Sequence, residues 1–422
     1  MEKSVLFPYG KTFLSMEYPE DGNYQLIRGH KILPSTSEAA IVNNALEHPI
    51  ASQTLAELSK DAKKIVIITN DNTRPMPSKI TLPAIIDHLF YHERYYDITI
   101  LVATGLHRQM TEQEMEEQYG KEFYHSHKFV CHDANDPERN VFVGDLSTGN
   151  KLYIEKIAAE CDLLISEGFI EPHFFAGFSG GRKSILPGIS GKETIMFNHR
   201  PANIADPLAK QGILSGNPIH TECTEAARAA RLRFILNVAL NEDKQITAAF
   251  AGDPVAAHAE GCAYVRNATT TPVRETDIVI TSNSGYPLDR NFYQVVKGID
   301  TAAKIVKKGG VIIAAAQCMD GVGHGNFSHL ITSCSSAEEL CAEMATDKYA
   351  VDKWQVQVYA DALAKAHIIL VSEGVTPEEA KTLFVQWAPD LDTAVQMARA
   401  ITGEQSSISF LPDGPVTIPV IQ

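Results

Sequence analysis

Short apolar runs, rich in β-branched residues and closing on polar residues or glycine, punctuate the chain from end to end. They read "IVIITND" (65–71), "DITILVATGLH" (97–107), "CDLLISEGFIEPH" (161–173) and "LRFILNVALN" (232–241) in the first part. "DIVITSNSG" (277–285), "GGVIIAAAQ" (309–317) and "AHIILVSEG" (366–374) follow. Continuous rather than alternating hydrophobicity marks strands buried on both faces, which means parallel sheets covered by helices. Helical candidates fall between the runs at 81–95, 111–123 and 301–309. The alternation predicts an α/β fold, doubly wound, formed twice over with mainly parallel sheets.

A chain of 422 residues exceeds one ordinary core, so two domains are expected. The polar, Thr-rich "RNATTTPVRETD" (266–277) precedes the second strand series and marks a boundary. This gives an N-terminal domain over 1–268 and a C-terminal α/β domain over 275–400. The tail, 405–422, carries Pro-Asp-Gly-Pro between two β-prone runs and reads as a hairpin. Whether it packs back on the first domain stays open.

In open α/β sheets ligands bind beyond the carboxyl ends of strands. Asp71, with Arg74 close behind, follows the first run; Gly105-Leu106-His107 follows the second and Glu171-Pro172-His173 the third. Tyr293, Gln294 and Lys297 come after the fifth run at the spacing of a helix start, which puts Tyr293 and Lys297 on one face. Each has a plainer reading. A strand-end histidine is more often structural, Asp71 can simply shape its Asx-turn loop, and the helix face can be exposed. The planar fork of Arg74, however, suits a carboxylate.

From His173 to His199 the chain is dense in glycine and contains "GFSGGRKS" (177–184). Gly177, Lys183 and Ser184 match a phosphate-binding P-loop, but Arg182 stands where that loop needs glycine. Gly180 and Gly181 allow close backbone approach to a large ligand. A single His199 is a weak metal site, and there is no H-E-x-x-H, His-x-His or C-x-x-C pattern. Any metal here would need ligands that the polypeptide does not supply.

Composition excludes other classes. The formal charge is −15 with no basic tract, which argues against nucleic acid and anionic membranes. No apolar run approaches the roughly 20 residues that cross a bilayer. The N-terminal stretch is unlike a signal peptide, and the scattered, odd-numbered cysteines fit a reducing cytoplasm.

Together "DNTRP", "ATGLH", "EPHFFAGFSGGRKSILPGISG", "NH" (198–199) and "YQVVKG" (293–298) resemble the nickel-pincer-nucleotide lactate racemases and related 2-hydroxyacid racemases and epimerases. The resemblance runs along nearly the whole chain. It implies two α/β domains with the active site in the interdomain cleft. It also implies the missing ligands: nickel held by a pyridinium-3,5-bisthiocarboxylic acid mononucleotide, joined covalently to Lys183, with His199 on the remaining metal position. On this reading the glycine-rich loop, with Gly177, Gly180 and Gly181, lies against the nucleotide. His107 and His173 serve as two bases, one for each enantiomer. Arg74, Gln294 and Lys297 bind the substrate, Tyr293 lines the pocket, and Asp71 is placed with the cofactor-binding residues or orients a histidine or the arginine. Lactate leads among small 2-hydroxyacids as substrate, Phe174, Phe175 and Trp354 offering a small apolar pocket and Arg182 a possible second carboxylate partner. Cofactor-maturation enzymes are the expected protein partners. The rivals are a P-loop enzyme, a zinc hydrolase using His107, His173 and His199, and a non-enzymatic hydroxyacid-binding protein.

Overall fold

The computed structural model describes residues 2–19, 23–30, 32–89 and 96–422. Each apolar run forms a strand, and the strands build two six-stranded sheets. In the first sheet the order is Ile246–Gly252, Leu232–Leu240, Leu163–Phe169, Lys64–Asn70, Asp97–Ala103, Lys128–Cys131. Only the Ile246–Gly252 edge is antiparallel. Leu163–Phe169 is buried at every position, as an unbroken apolar run demands. One face of the sheet meets Val42, Leu46, Leu82 and Ile85 from helices Glu38–Glu47 and Ser78–Leu89. The other meets Ile219 and Ala226 from helix Pro218–Ala229 and the buried Ile185 and Leu186.

The chain enters this sheet in the middle, at Lys64–Asn70, winds outward one way through Asp97–Ala103, then crosses back to Leu163–Phe169 on the other side. The strand order therefore reverses between Lys64–Asn70 and Leu163–Phe169. In doubly wound sheets the crevice outside such a reversal is where ligands bind.

The second sheet is wholly parallel, in the order Gln386–Ala388, His367–Val371, Val306–Ala315, Thr276–Ser282, Ile408–Leu411, Tyr24–Leu26. Helices Phe292–Ile305 and Lys353–Lys365 cover the face turned to the first domain, and one buried cluster runs through both domains there. On the opposite face Val5, Phe7 and Tyr9 pack with Ile278, Ile280 and Ala394.

Four expectations differ in detail. The N-terminal hairpin (Glu2–Tyr9 with Thr12–Pro19) and Tyr24–Leu26 sit with the second sheet, so the range 1–268 does not follow the sheets at its start. Alternate apolar residues of that hairpin cover the second sheet's open face. The tail is not a hairpin: Ile408–Leu411 joins the second sheet, whereas Ile418–Ile421 pairs in parallel with Thr270–Val273. A 3-10 turn at Gly414–Val416 separates them, and Pro415 O accepts from Gln211 Nε2 of the first domain at 3.0 Å. The helix expected at 301–309 ends at Ile305, and the strand Val306–Ala315 takes over. That expected at 111–123 is divided at Gly120, whose φ of 90° ends one helix before the next begins. Of the helix expected at 81–95, residues 90–95 lie outside the described residues.

Candidate active site

A cavity of about 170 Å³ opens at the reversal in the first sheet and is closed by the second domain. Asp71, Arg74, His107, His173, Lys183, His199, Tyr293, Gln294 and Lys297 all line it, with Gly180 and Gly181. Gly177 does not. It lies at φ +80°, where a Cβ would meet the Ile213 carbonyl oxygen at 2.3 Å, so its glycine serves the packing of the loop.

His107 and Asp71 form a dyad at adjacent strand ends. Asp71 Oδ2 lies 2.7 Å from His107 Nδ1, while its Oδ1 accepts from Thr73 N (3.1 Å) and Thr73 Oγ1 (2.5 Å). Burial on its own would raise the Asp71 carboxyl. The His107 contact, the Arg74 charge and the Thr73 hydroxyl outweigh it and hold the group at about 2. A carboxylate here makes His107 Nδ1 the donor and leaves Nε2 with its lone pair.

His173 is held differently. Ala176 N donates to its Nδ1 at 3.3 Å, so in the neutral ring the proton sits on Nε2. Burial, then the charges of Lys183, Lys297 and Arg74, press its pKa well below the ordinary value. The ring stacks on Phe174 at 4.9 Å and meets Phe175 edge-on at 4.6 Å. Phe175 and Trp354 then flank His199, each at 5.2 Å, completing an apolar wall. The expected small apolar pocket thus exists in outline, although Phe174, Phe175 and Trp354 are also core residues.

The glycine-rich stretch is no P-loop. Gly181–Ser184 is a single 3-10 turn instead of the start of an α-helix. Gly180 lies at φ +75°, and a Cβ there would come within 2.7 Å of Asn237 Oδ1 and 2.9 Å of the Phe169 carbonyl. The absent side chain lets the turn lie against the sheet. Arg182 points away from the cavity, 2% exposed, and donates to the carbonyls of Ala176 (2.8 Å), Ser179 (3.4 Å) and Gly180 (3.3 Å). It ties the loop together, which removes it as a second carboxylate partner. Lys183 faces the cavity, its Nζ 5.7 Å from the Phe175 ring centre. Burial, together with Arg182 and Arg74, brings its amine down to about 8. Nearby, His199 Nδ1 lies 3.1 Å from the Ile195 carbonyl, which fixes its proton there and frees Nε2. Burial, reinforced by Lys183, holds that ring at about 3, uncharged at neutral pH.

The second domain contributes the N-terminal turn of helix Phe292–Ile305, capped by Asn291, whose side chain accepts from Gln294 N at 3.1 Å. This face is buried, not exposed. Burial and Arg74 draw Lys297 down to about 7, opposed by Glu171. Gln294 Oε1 is buried without a hydrogen-bond partner. Sequence reading placed Glu171 at its strand end without giving it a role, and among the other lining residues it missed His324, Asp352 and Gln355. His324, Asp352 and Gln355 lie on loops and a helix turn whose approach to the cavity no periodicity reveals.

Among the described residues, the metal-sized group of His, Cys, Asp and Glu donors is Glu112, Glu116 and His125, on the surface. His107, His173 and His199 do not converge as zinc ligands, so that rival loses its site. Nor is any helix of the described residues long and apolar enough to cross a membrane.

The cleft between two α/β domains of mainly parallel sheets gathers an Asp-supported histidine, a second histidine, an arginine and two lysines, the class of site that acid–base enzymes use. The fold is close to that of the lactate racemase apoprotein from Thermoanaerobacterium thermosaccharolyticum, at TM-score 0.94 and 42% identity, covering 99% of this chain and 100% of that one. A Thermotoga maritima protein shares the fold at TM-score 0.68 and 18% identity, over 93% of this chain and 100% of its own. Curated lactate racemases from T. thermosaccharolyticum and Lactiplantibacillus plantarum are each 41% identical, over 97% of this chain and 98% of theirs. The lactate racemase N-terminal domain family matches residues 9–212 and its C-terminal counterpart residues 271–420. The chain belongs to the lactate racemase family, and it is a racemase.

Proposed function

We propose that the protein interconverts the enantiomers of a small 2-hydroxyacid, lactate foremost, by reversible removal of the Cα hydrogen as hydride through a planar 2-keto acid. The observation that carries this reading is the presence, in one cavity, of two histidines with opposite hydrogen-bonding ends, cations suited to a carboxylate, and a lysine and an uncharged histidine whose pKa values are both lowered.

The residues fit the cofactor that the family resemblance implies. Lys183 offers a recessed amine of lowered pKa for a covalent bond, and His199 Nε2 a free imidazole lone pair for nickel. The remaining metal ligands would come from outside the polypeptide, since among the described residues no group of three His, Cys, Asp or Glu donors gathers at the cavity. When bound, the nickel-pincer nucleotide would supply a reversible hydride acceptor. Gly180 and Gly181 line the cavity beside Lys183, their missing side chains leaving room for Asn237 and His258 behind the loop.

The chain's own groups do the rest. Arg74 and Lys297 hold the substrate carboxylate, and the Gln294 side-chain amide, its Oε1 end otherwise unpartnered, helps fix the substrate by donating through its NH₂ to the hydroxyl or keto oxygen. His107 Nε2 takes the hydroxyl proton of one enantiomer while Asp71 stabilises the resulting imidazolium. His173 serves the other face, and its Nε2–H binds the keto oxygen in the form described above. Phe174, Phe175 and Trp354 keep water out and receive a methyl-sized group. Tyr293 lines the pocket. The free state of all seven cysteines supports work in a reducing cytoplasm, and loading of Lys183 calls for maturation enzymes as partners.

Racemisation of enantiopure L-lactate by the loaded protein in D₂O tests the reading. Optical rotation should decay while the Cα hydrogen is retained. Deuterium at Cα would overturn the hydride route, and stable rotation would overturn lactate, after which longer, aromatic, dicarboxylic and sugar-derived hydroxyacids are the alternatives to assay.

A further inference from the structure

The two-base reading leaves a proton to account for. In one direction the substrate hydroxyl gives its proton to His107 Nε2, and the oxygen regains one as the hydride returns, from a His173 ring that has first taken up a second proton from water. After one turnover His107 holds a proton more and the His173 side one fewer. Repeated conversion of the same enantiomer requires that His107 shed this proton to water and that the other side regain one. Asp71 occupies His107 Nδ1, so the proton can leave only through Nε2.

The facing domain places another histidine beside the His107 ring. His324 lines the same cavity, its ring centre 5.9 Å from that of His107, a separation one water can bridge. It has its own carboxylate: His324 Nδ1 lies 3.4 Å from Asp352 Oδ2. Tyr293 stacks on the ring at 4.1 Å and fixes its plane. The His324 side chain is 34% exposed against 24% for His107, so the pair steps outward toward solvent. Asp352 is 3% exposed and sits at φ +66°, a left-handed backbone that an L-residue adopts only when its surroundings impose it. His324 itself lies between Gly323 and Gly325 and opens helix Gly325–Thr332 at the rim of the cleft. The charged and titratable groups facing His324 are Asp352, Tyr293 and His107, with Asp71 behind His107.

We infer that His324, oriented by Asp352 and Tyr293, passes protons between His107 Nε2 and bulk water, resetting the enzyme after each turnover. No bond other than N–H and O–H is made or broken: the proton leaves His107, resides on the His324 imidazole and exits to solvent or buffer. The inference rests on the two-base reading above.

The test uses the loaded protein with L-lactate at saturation, in dilute and in concentrated imidazole buffer, comparing wild type with His324→Asn and His324→Gln. Both variants should lose roughly tenfold in kcat in dilute buffer with KM within about twofold, and imidazole should restore most of the loss. Wild-type rates in dilute buffer would overturn the relay. So would a loss accompanied by raised KM and indifferent to imidazole, which would make His324 a packing residue on Tyr293. In the unloaded chain, NMR titration of the His107 ring should change its shape in H324N, and an unchanged curve would count against the relay. If wild type itself fails to racemise any 2-hydroxyacid, the two-base reading falls first and the relay with it.

Discussion

His107 and His173 follow the two strands that flank Lys64–Asn70 in one sheet, yet their surroundings prepare them for opposite tasks. His107 donates through Nδ1 to a buried carboxylate and keeps Nε2 as an acceptor. His173 accepts a backbone N–H at Nδ1 and keeps Nε2 as a donor, inside an aromatic and cationic shell that disfavours a charge on the ring. The same residue type, placed in two hydrogen-bond environments, thus becomes a base in one place and a hydrogen-bond donor in the other.

The largest break in this comparison comes from His107→Ala, which should lower kcat roughly 10³-fold in both directions. His173→Ala should cost roughly 10²-fold, and full activity in either variant would end the two-base scheme. Asp71→Asn tests support rather than the base itself. It should cost a smaller factor in kcat, roughly tenfold to a hundredfold, and about 1–3 kcal/mol of stability at neutral pH in urea unfolding. The sign follows from the depressed carboxyl: its contribution is complete above the ordinary 3.8 and fades as pH falls toward about 2. The stabilities of wild type and Asp71→Asn should therefore converge on acidification, and parallel curves would contradict the assignment. Glu171→Gln removes the carboxylate that opposes the lowering of Lys297. Fewer Lys297 side chains are then charged at neutral pH, and lactate KM should rise about threefold with little change in kcat. The gentlest probe is Lys183 in unloaded protein. Its labelling by an amine reagent should rise through about pH 8, because the ammonium below that point is unreactive. A rise only near the pH of surface lysines would remove the case for an activated anchor.

Much of this site was legible because doubly wound sheets put chemistry at strand ends. Asp71, His107 and His173 follow apolar runs whose continuity gives away their burial, and Tyr293 with Lys297 shares a helix face by spacing alone. What stayed hidden depends on how distant segments meet. His324 and Asp352 sit 28 residues apart on irregular segments of the second domain, and their pairing exists only in the folded chain. The tail misled for a related reason. Pro-Asp-Gly-Pro suits a turn, but the apolar "SISF" gains more from burial between Thr276–Ser282 and Tyr24–Leu26 than from an exposed hairpin partner. Arg182 was visible, yet its direction was not: nothing in "GGRKS" says that neighbouring cations diverge, one into the loop's own carbonyls and one into the cleft.

The bond from Ala176 N–H to His173 has a kinetic consequence. Enantiomers have equal free energy in water, so the Haldane relation forces kcat/KM to be the same for both, however differently their two bases are held. A bond that must be surrendered before His173 accepts a proton, worth about 1 kcal/mol, can therefore surface only as kcat and KM moving together for one enantiomer, each by about fivefold. The enzyme can be lopsided in its saturation behaviour while remaining even-handed at low substrate, where the two hands of the molecule compete on equal terms.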